Sequence, residues 1–290
     1  MLHLAAGPLE LRLVPWLGGS IASLDHLRDG QRSPVLRHCP GGPATVLDSA
    51  SFPLVPYSNR IRDGLFVFRG REVAIRPNMP PDPSPLHGQG WLAEWKVERV
   101  NERDATLSYH HEPGEWPWAY RARQSFELDE KGLSIRLSCA NASDTPMPCG
   151  LGQHPYFPCN SATRLDAAVV GAWTIDEATL PVARVPAAGR YDLRDRVICG
   201  QGLDHGFDGW SGIARITTPG APFRIEMTSP TARCFQLYSP PSGGFFVAEP
   251  VTHVNAALNA PEDEWEWLGL KVLDPGEEAV LDCRIAIIAI

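Results

Sequence analysis

A helix needs an uninterrupted run of chain, and this sequence offers few. Its 28 prolines and 26 glycines occupy nearly one position in five of 290, and the longest segment free of both runs only from Trp91 to Glu112. Isolated helices need roughly 12–15 residues to persist, and proline or glycine in a helix interior works against them. Helical bundles and coiled coils are therefore excluded, and many short strands are favoured.

The polar and apolar residues alternate as strands require. Leu9, Leu11 and Leu13 alternate with Glu10 and Arg12; Leu133, Ile135, Leu137 and Cys139 with Ser134, Arg136 and Ser138; Phe223, Ile225 and Met227 with Arg224 and Glu226. Each has the period of two expected of a half-buried strand. Further strands are predicted at 72–76, 95–100, 106–110, 124–129, 234–238, 245–248 and 279–290, with at most a helical turn at 257–264 or 176–180. No composition shift, linker or fixed-period repeat divides the chain. The expectation is an all-β fold: one domain over residues 1–290, built as a large antiparallel sandwich.

Composition narrows the function. A formal charge of −8 supplies no basic face for nucleic acid or an anionic membrane. Seven cysteines without a C-x-x-C pair fit reduced thiols better than a disulfide framework or a zinc ribbon. The N-terminal MLHLAAGPLELRLVPW lacks the basic start of a signal peptide, and the apolar run IAIIAI is far short of the roughly 20 residues of a membrane span. A cytoplasmic protein is expected. Dinucleotide-binding, P-loop, zincin and α/β-hydrolase signatures are absent.

What remains is a set of polar residues in unusual local settings: Asn59 and Arg60 in SNRIRDG, His87 in PLHGQGW, His154 in GLGQHPYF, Asp204 in GLDHGFDGW, and Glu249 in FFVAEPVTH. Taken alone, Arg60 fits a solvated loop charge and His87 a satisfied turn. His154 is bracketed by Gly152 and Pro155 and followed by two aromatics. Glu249 closes an apolar run and is pinned by Pro250, which presents an acid at the end of a buried strand; such a carboxylate is costly unless paired. The Pro-rich segment 78–85 reads as a long ordered loop of the kind that carries binding residues. Aromatics near these positions (Trp91, Tyr156, Phe157, Tyr238 and Phe245 among them) would suit a sugar, with its apolar ring face and polar rim, although most aromatics in a sandwich belong to the core.

The ordered series NRIRDGLFVFRG, PLHGQGW, GEWPWAYRARQSFEL, GLGQHPYF, GLDHGF and VAEPVTHVNAALN, from about Phe52 to Asn259, resembles the aldose 1-epimerases, the galactose mutarotase family. The resemblance implies a β-supersandwich that needs no cofactor or metal and interconverts the α and β anomers of a free monosaccharide. It implies Glu249 as general base, His154 as general acid, His87 as a second active-site histidine, and Arg60 and Asp204 as ligands of sugar hydroxyls, with Asn59 beside them. Pro158 and Cys159 stand where well-known members have an Asn, and Glu249-Pro250-Val251 replaces their Glu-Thr-Gln, so the identity of the sugar stays open.

Three alternatives remain at this level: a sugar-binding protein without catalysis, a glycoside hydrolase pairing Glu249 with Asp204, and a mutarotase for a phosphorylated or sulfonated sugar. The last would need further cations, for which Arg62, Arg69, Arg71, Arg121 and Arg123 are the candidates. Either a monomer or a homodimer is compatible with the sequence.

Overall fold

In the computed structural model, which describes residues 1–39 and 41–290, strands make up 49% of the chain and helix 8%, so the protein is all-β. Two large antiparallel sheets dominate. The nine-stranded sheet carries Tyr120–Asp129, Gly132–Asn141 and Glu278–Ala289 at its middle, and its hairpin register pairs Asp129 with Gly132 across a tight turn. The eight-stranded sheet runs in the order Pro181–Pro186, Gly171–Ile175, Leu203–Asp208, Cys234–Ser239, Phe245–Val251, Gly152–Gln153 and Pro53–Leu54, and Tyr156–Pro158 also pairs with Phe245–Val251. A four-stranded sheet from the first 34 residues, the hairpin Leu65–Phe68 with Arg71–Ala74 and the long-range pair Met147–Cys149 with Lys271–Leu273 complete the strands.

Alternation explains the layering. In Tyr120–Asp129 the even-numbered positions are buried, while Arg121, Arg123, Glu127 and Asp129 are exposed. In Leu203–Asp208, Leu203, His205 and Phe207 face the core, so Asp204, Gly206 and Asp208 lie on the opposite face. One connected cluster of buried side chains, including Ile135, Leu137, Phe207, Leu237, Ala248 and Leu281, draws on both large sheets. Phe66 and Phe68 belong to this interior, against Trp116, Trp118 and Trp265.

The structure corrects two expectations. The strand that begins at Phe245 does not stop before Glu249 but continues through Pro250 to Val251. Helix is confined to single turns, including Ala257–Asn259 and the four-residue Trp265–Leu268, while 176–180 forms a turn closed by the Asp176 side chain on the N–H groups of Ala178 and Leu180.

Candidate active site

The register of the eight-stranded sheet brings His154 and Glu249 together. Tyr156 pairs with Val247 and Gly152 with Val251, so His154 stands directly opposite Glu249 although neither is in the hydrogen-bonded ladder there. The backbone N–H of His154 turns away to the carbonyl of Phe52. Directly opposed side chains share a face and lie close, and His154 Nε2 sits 3.5 Å from Glu249 Oε1, just beyond hydrogen-bond length. On its other edge Glu249 pairs with Gln236, which pairs in turn with Gly206. Tyr238 and Asp204 form the next opposed pair on the same face, and Gln236 Nε2 donates to Asp204 Oδ1 at 2.8 Å. At Gly206 an added Cβ would lie 3.1 Å from Gln236 Oε1, so the amide would have to shift by a few tenths of an ångström to admit it.

Loops supply the opposite wall. Asn59 and His87 both adopt left-handed backbone, with φ of 60° and 61°, a conformation costing on the order of 1 kcal/mol for a residue other than glycine. They hold each other there: the His87 N–H donates to the Asn59 carbonyl at 2.9 Å, and the Asn59 N–H to His87 Nδ1 at 3.0 Å. With Nδ1 accepting, neutral His87 carries its proton on Nε2, as a donor.

The flanking amides are held in the same way. Ser58 N–H donates to His253 Nε2 and Arg60 N–H to Asn255 Oδ1, both at 3.0 Å. Three successive amides are thus fixed by three side chains, two of which follow Glu249 in the chain. The Arg60 guanidinium donates to Asp82 Oδ2 at 2.9 Å and to Asn59 Oδ1 at 3.1 Å. Asp82 comes from the Pro-rich loop, which Asn78 ties down through bonds to both the N–H and the carbonyl of Leu86.

All six residues singled out in the sequence are therefore brought to one place. Arg60 and Asp204 are close enough to each other and to Glu249 to act on their ionisation. Sequence reasoning missed Asp82, Gln236, Asn255, His253 and Arg37. Gln236 lies in the strand expected at 234–238 and Asp82 in the Pro-rich loop at 78–85, but neither side chain stands out locally. Arg37, outside every motif, lies 3.7 Å above the Tyr156 ring. The five arginines considered for an acidic sugar lie elsewhere: Arg121 and Arg123 on an exposed sheet face, Arg69 and Arg71 at an exposed hairpin turn, and Arg62 against Asp176.

Burial sets the electrostatics. Glu249 is 3% exposed and His154 9%. Phe52 stacks on the His154 ring at 4.3 Å, and Trp91 meets His87 edge-on at 5.5 Å. Burial, reinforced by Asp204, pushes the Glu249 carboxyl well above its usual range, with Arg60 only partly opposing. Burial also raises Asp204, against Arg60 and the Gln236 hydrogen bond. Desolvation lowers His154 to about 3, and it lowers His87 well below its ordinary value, with the neighbouring His154 and Arg60 adding to the effect. Burial thus favours the neutral form of both Glu249 and His154. Glu249 Oε2 and His154 Nδ1 are buried with no partner among the described residues, whereas buried polar atoms are ordinarily hydrogen-bonded.

Among the described residues, no cluster of three or more His, Cys, Asp or Glu side chains has the arrangement of a metal site, and no helix is long and apolar enough to cross a membrane. The family described as aldose 1-epimerase matches residues 12–286, and the chain belongs to that family. "Uncharacterized protein YphB" of Escherichia coli K12 is 34% identical over 269 residues, covering 88% of this chain and 89% of its own. A solved E. coli K12 structure described as a "Putative aldose 1-epimerase" superposes with a TM-score of 0.88 at 30% identity, over 99% of this chain and 98% of that one. A galactose mutarotase-like protein from Clostridium acetobutylicum shares the fold, with a TM-score of 0.87 at 20% identity over 99% and 95% of the two chains.

Proposed function

We propose that the protein is a mutarotase, catalysing exchange between the α and β anomers of a free aldose. The observation that carries this reading is the opposition of His154 and Glu249 at 3.5 Å, with one unsatisfied polar atom on each. A pure binding site has no need of a proton donor and acceptor so placed. Glu249 removes the proton from the anomeric hydroxyl as His154 delivers one to the ring oxygen. The C1–O5 bond breaks, C1 becomes an aldehyde, and rotation about C1–C2 followed by reclosure with the proton movements reversed gives the other anomer. Atoms and electrons balance without a cofactor.

The neutral pair, a carboxylic acid beside an imidazole, holds the one proton this cycle needs. Its transfer from Glu249 to His154 creates base and acid together, without uptake from solvent. His87 supplies Nε2–H toward the ring oxygen. Arg60, oriented by Asp82 and Asn59, and Asp204, oriented by Gln236, grip ring hydroxyls and supply positioning in place of proton transfer.

Polarimetry of freshly dissolved α-glucose, α-galactose and an aldopentose tests this, with EDTA present throughout. Acceleration of at least one sugar, insensitive to the chelator, is expected. Saturable sugar binding with no acceleration would establish the binding-protein reading instead, and release of reducing sugar from an aryl glycoside would establish a hydrolase.

A further inference from the structure

Two cysteines far apart in the chain meet at the junction of the two large sheets. Strand Arg164–Ala167 pairs with Arg196–Val197, and the Ile198 N–H extends that pairing to the Thr163 carbonyl at 3.0 Å. Ahead of Thr163 the chain turns sharply: the Thr163 N–H donates to the Asn160 carbonyl and the Asn160 N–H to Thr163 Oγ1, both at 3.0 Å. The turn folds Cys159 back toward Cys199, one residue beyond the last pairing. A third segment fixes both. The Cys159 N–H donates to the Gly244 carbonyl at 3.0 Å, and Cys199 Sγ lies 3.0 Å from where a Cβ on Gly243 would stand. A side chain at 243 would press on that sulfur, and the φ of 69° there is itself a glycine conformation.

The two thiols lie within hydrogen-bonding reach of each other, and burial together with that contact pushes the Cys159 thiol up to about 12. Neither cysteine is sealed. Both are half-buried, and Cys159 borders an open cavity of about 330 Å³ between Pro34, Pro158 and Phe223. The other adjacent pair, Cys139 and Cys149, is at most 1% exposed, and Cys234 and Cys283 are buried as well. Cys39 is also half-buried, with its thiol on the Gly42 carbonyl at 3.3 Å.

We propose that Cys159 and Cys199 are a redox-active dithiol, which a small disulfide such as oxidised glutathione converts to an intrachain disulfide. Cys199, as thiolate, attacks one sulfur of the reagent and expels a first thiolate. Cys159 then gives its proton to solvent, attacks the Cys199 sulfur and expels the second. The protein loses two electrons and two protons, and the reagent becomes two thiols. In a reducing compartment the pair stays open and closes only under oxidative load. The bond closes a loop of about 40 residues, between the strand that follows His154 and the segment that leads to Asp204, and so clamps the frame of the site. This chemistry is independent of anomer exchange.

The test incubates the full chain with oxidised glutathione under native conditions, alkylates the remaining thiols and maps the unreduced digest by mass spectrometry. A crosslink between Cys159 and Cys199 is expected, with Cys139, Cys149, Cys234 and Cys283 recovered as alkylated thiols. The oxidised protein is expected to melt about 5 °C higher, a gain that dithiothreitol reverses. Cys159→Ser is expected to stop at the glutathione adduct on Cys199, and Cys199→Ser to lose both the crosslink and the gain in melting temperature. Cys39→Ser is expected to crosslink as the wild type does. A lasting glutathione adduct on either cysteine of the wild type, no reaction at either, or a crosslink through another cysteine would overturn the pair. A crosslink that leaves the melting temperature unchanged would overturn the clamp.

Discussion

At the scale of single residues, the site is governed by what burial does to proton affinity. On the proposed mechanism, competence requires one proton on the His154–Glu249 pair. With ordinary values, near 4.3 for Glu and 6.5 for His, that form would dominate only between those two limits. Here His154 is lowered to about 3 and Glu249 is raised, so the singly protonated pair spans from about pH 3 up to the raised Glu249 value. The pH profile of kcat/KM is expected to keep its acid limb below pH 4 and to fall on the alkaline side as Glu249 loses its proton. An acid limb near 4.3 together with an alkaline limb near 6.5 would contradict the neutral pair.

His253 is a second residue-scale case. It is buried and lowered to about 4 by desolvation, with its Nδ1–H on the Val254 carbonyl and Nε2 accepting from Ser58. Because its folded value is depressed, the unfolded chain binds the extra proton below pH 6.5, and wild-type stability drains by about 1.4 kcal/mol per pH unit from this group alone. His253→Gln is expected to be the less stable protein at pH 7, with the gap closing by about that slope between pH 6.5 and 4 in urea titrations. A gap of constant size would show that the imidazole does not titrate there.

Among the elements, the strand Phe245–Val251 does most of the organising, and it also shows where sequence reasoning stops. Alternation and the density of chain breakers gave the strands and the all-β class, because period and turn chemistry are local. The opposition of His154 to Glu249 is a register, set by pairing between segments nearly a hundred residues apart, and no local pattern encodes it. The end of the strand was misjudged for a related reason. Pro250 reads as a stop because it donates no ladder bond, yet it lies beside the stretch between Gly152 and Tyr156 where the neighbouring chain makes no ladder pairing with it, and the strand passes through. Asp82 and Asn255 escaped notice because a loop acid and a loop amide acquire meaning only once Arg60 is placed between them. Gly206 tests the face itself. Gly206→Ala puts a Cβ 3.1 Å from Gln236 Oε1 and should displace the amide that orients Asp204. Steady-state exchange kinetics are expected to show KM raised severalfold with kcat less affected; a loss confined to kcat would place Asp204 in the proton chemistry.

At the scale of the molecule, a buried cluster shared by both large sheets argues that they melt together. A single calorimetric transition is expected, and two separable transitions would show that the sheets are independent units. The fold holds His154 and Glu249 by register on one sheet and Arg60 by loops anchored to the same strand's continuation, so on the proposed mechanism the intact protein should retain its sugar affinity when only the proton chemistry is removed. The most direct test is the anomer-exchange rate of Glu249→Gln against wild type, with sugar affinity measured in parallel. Loss of roughly 10²- to 10⁴-fold in rate with binding retained is the expected result; near wild-type exchange in the variant would contradict the assignment of Glu249 and the mechanism built on it.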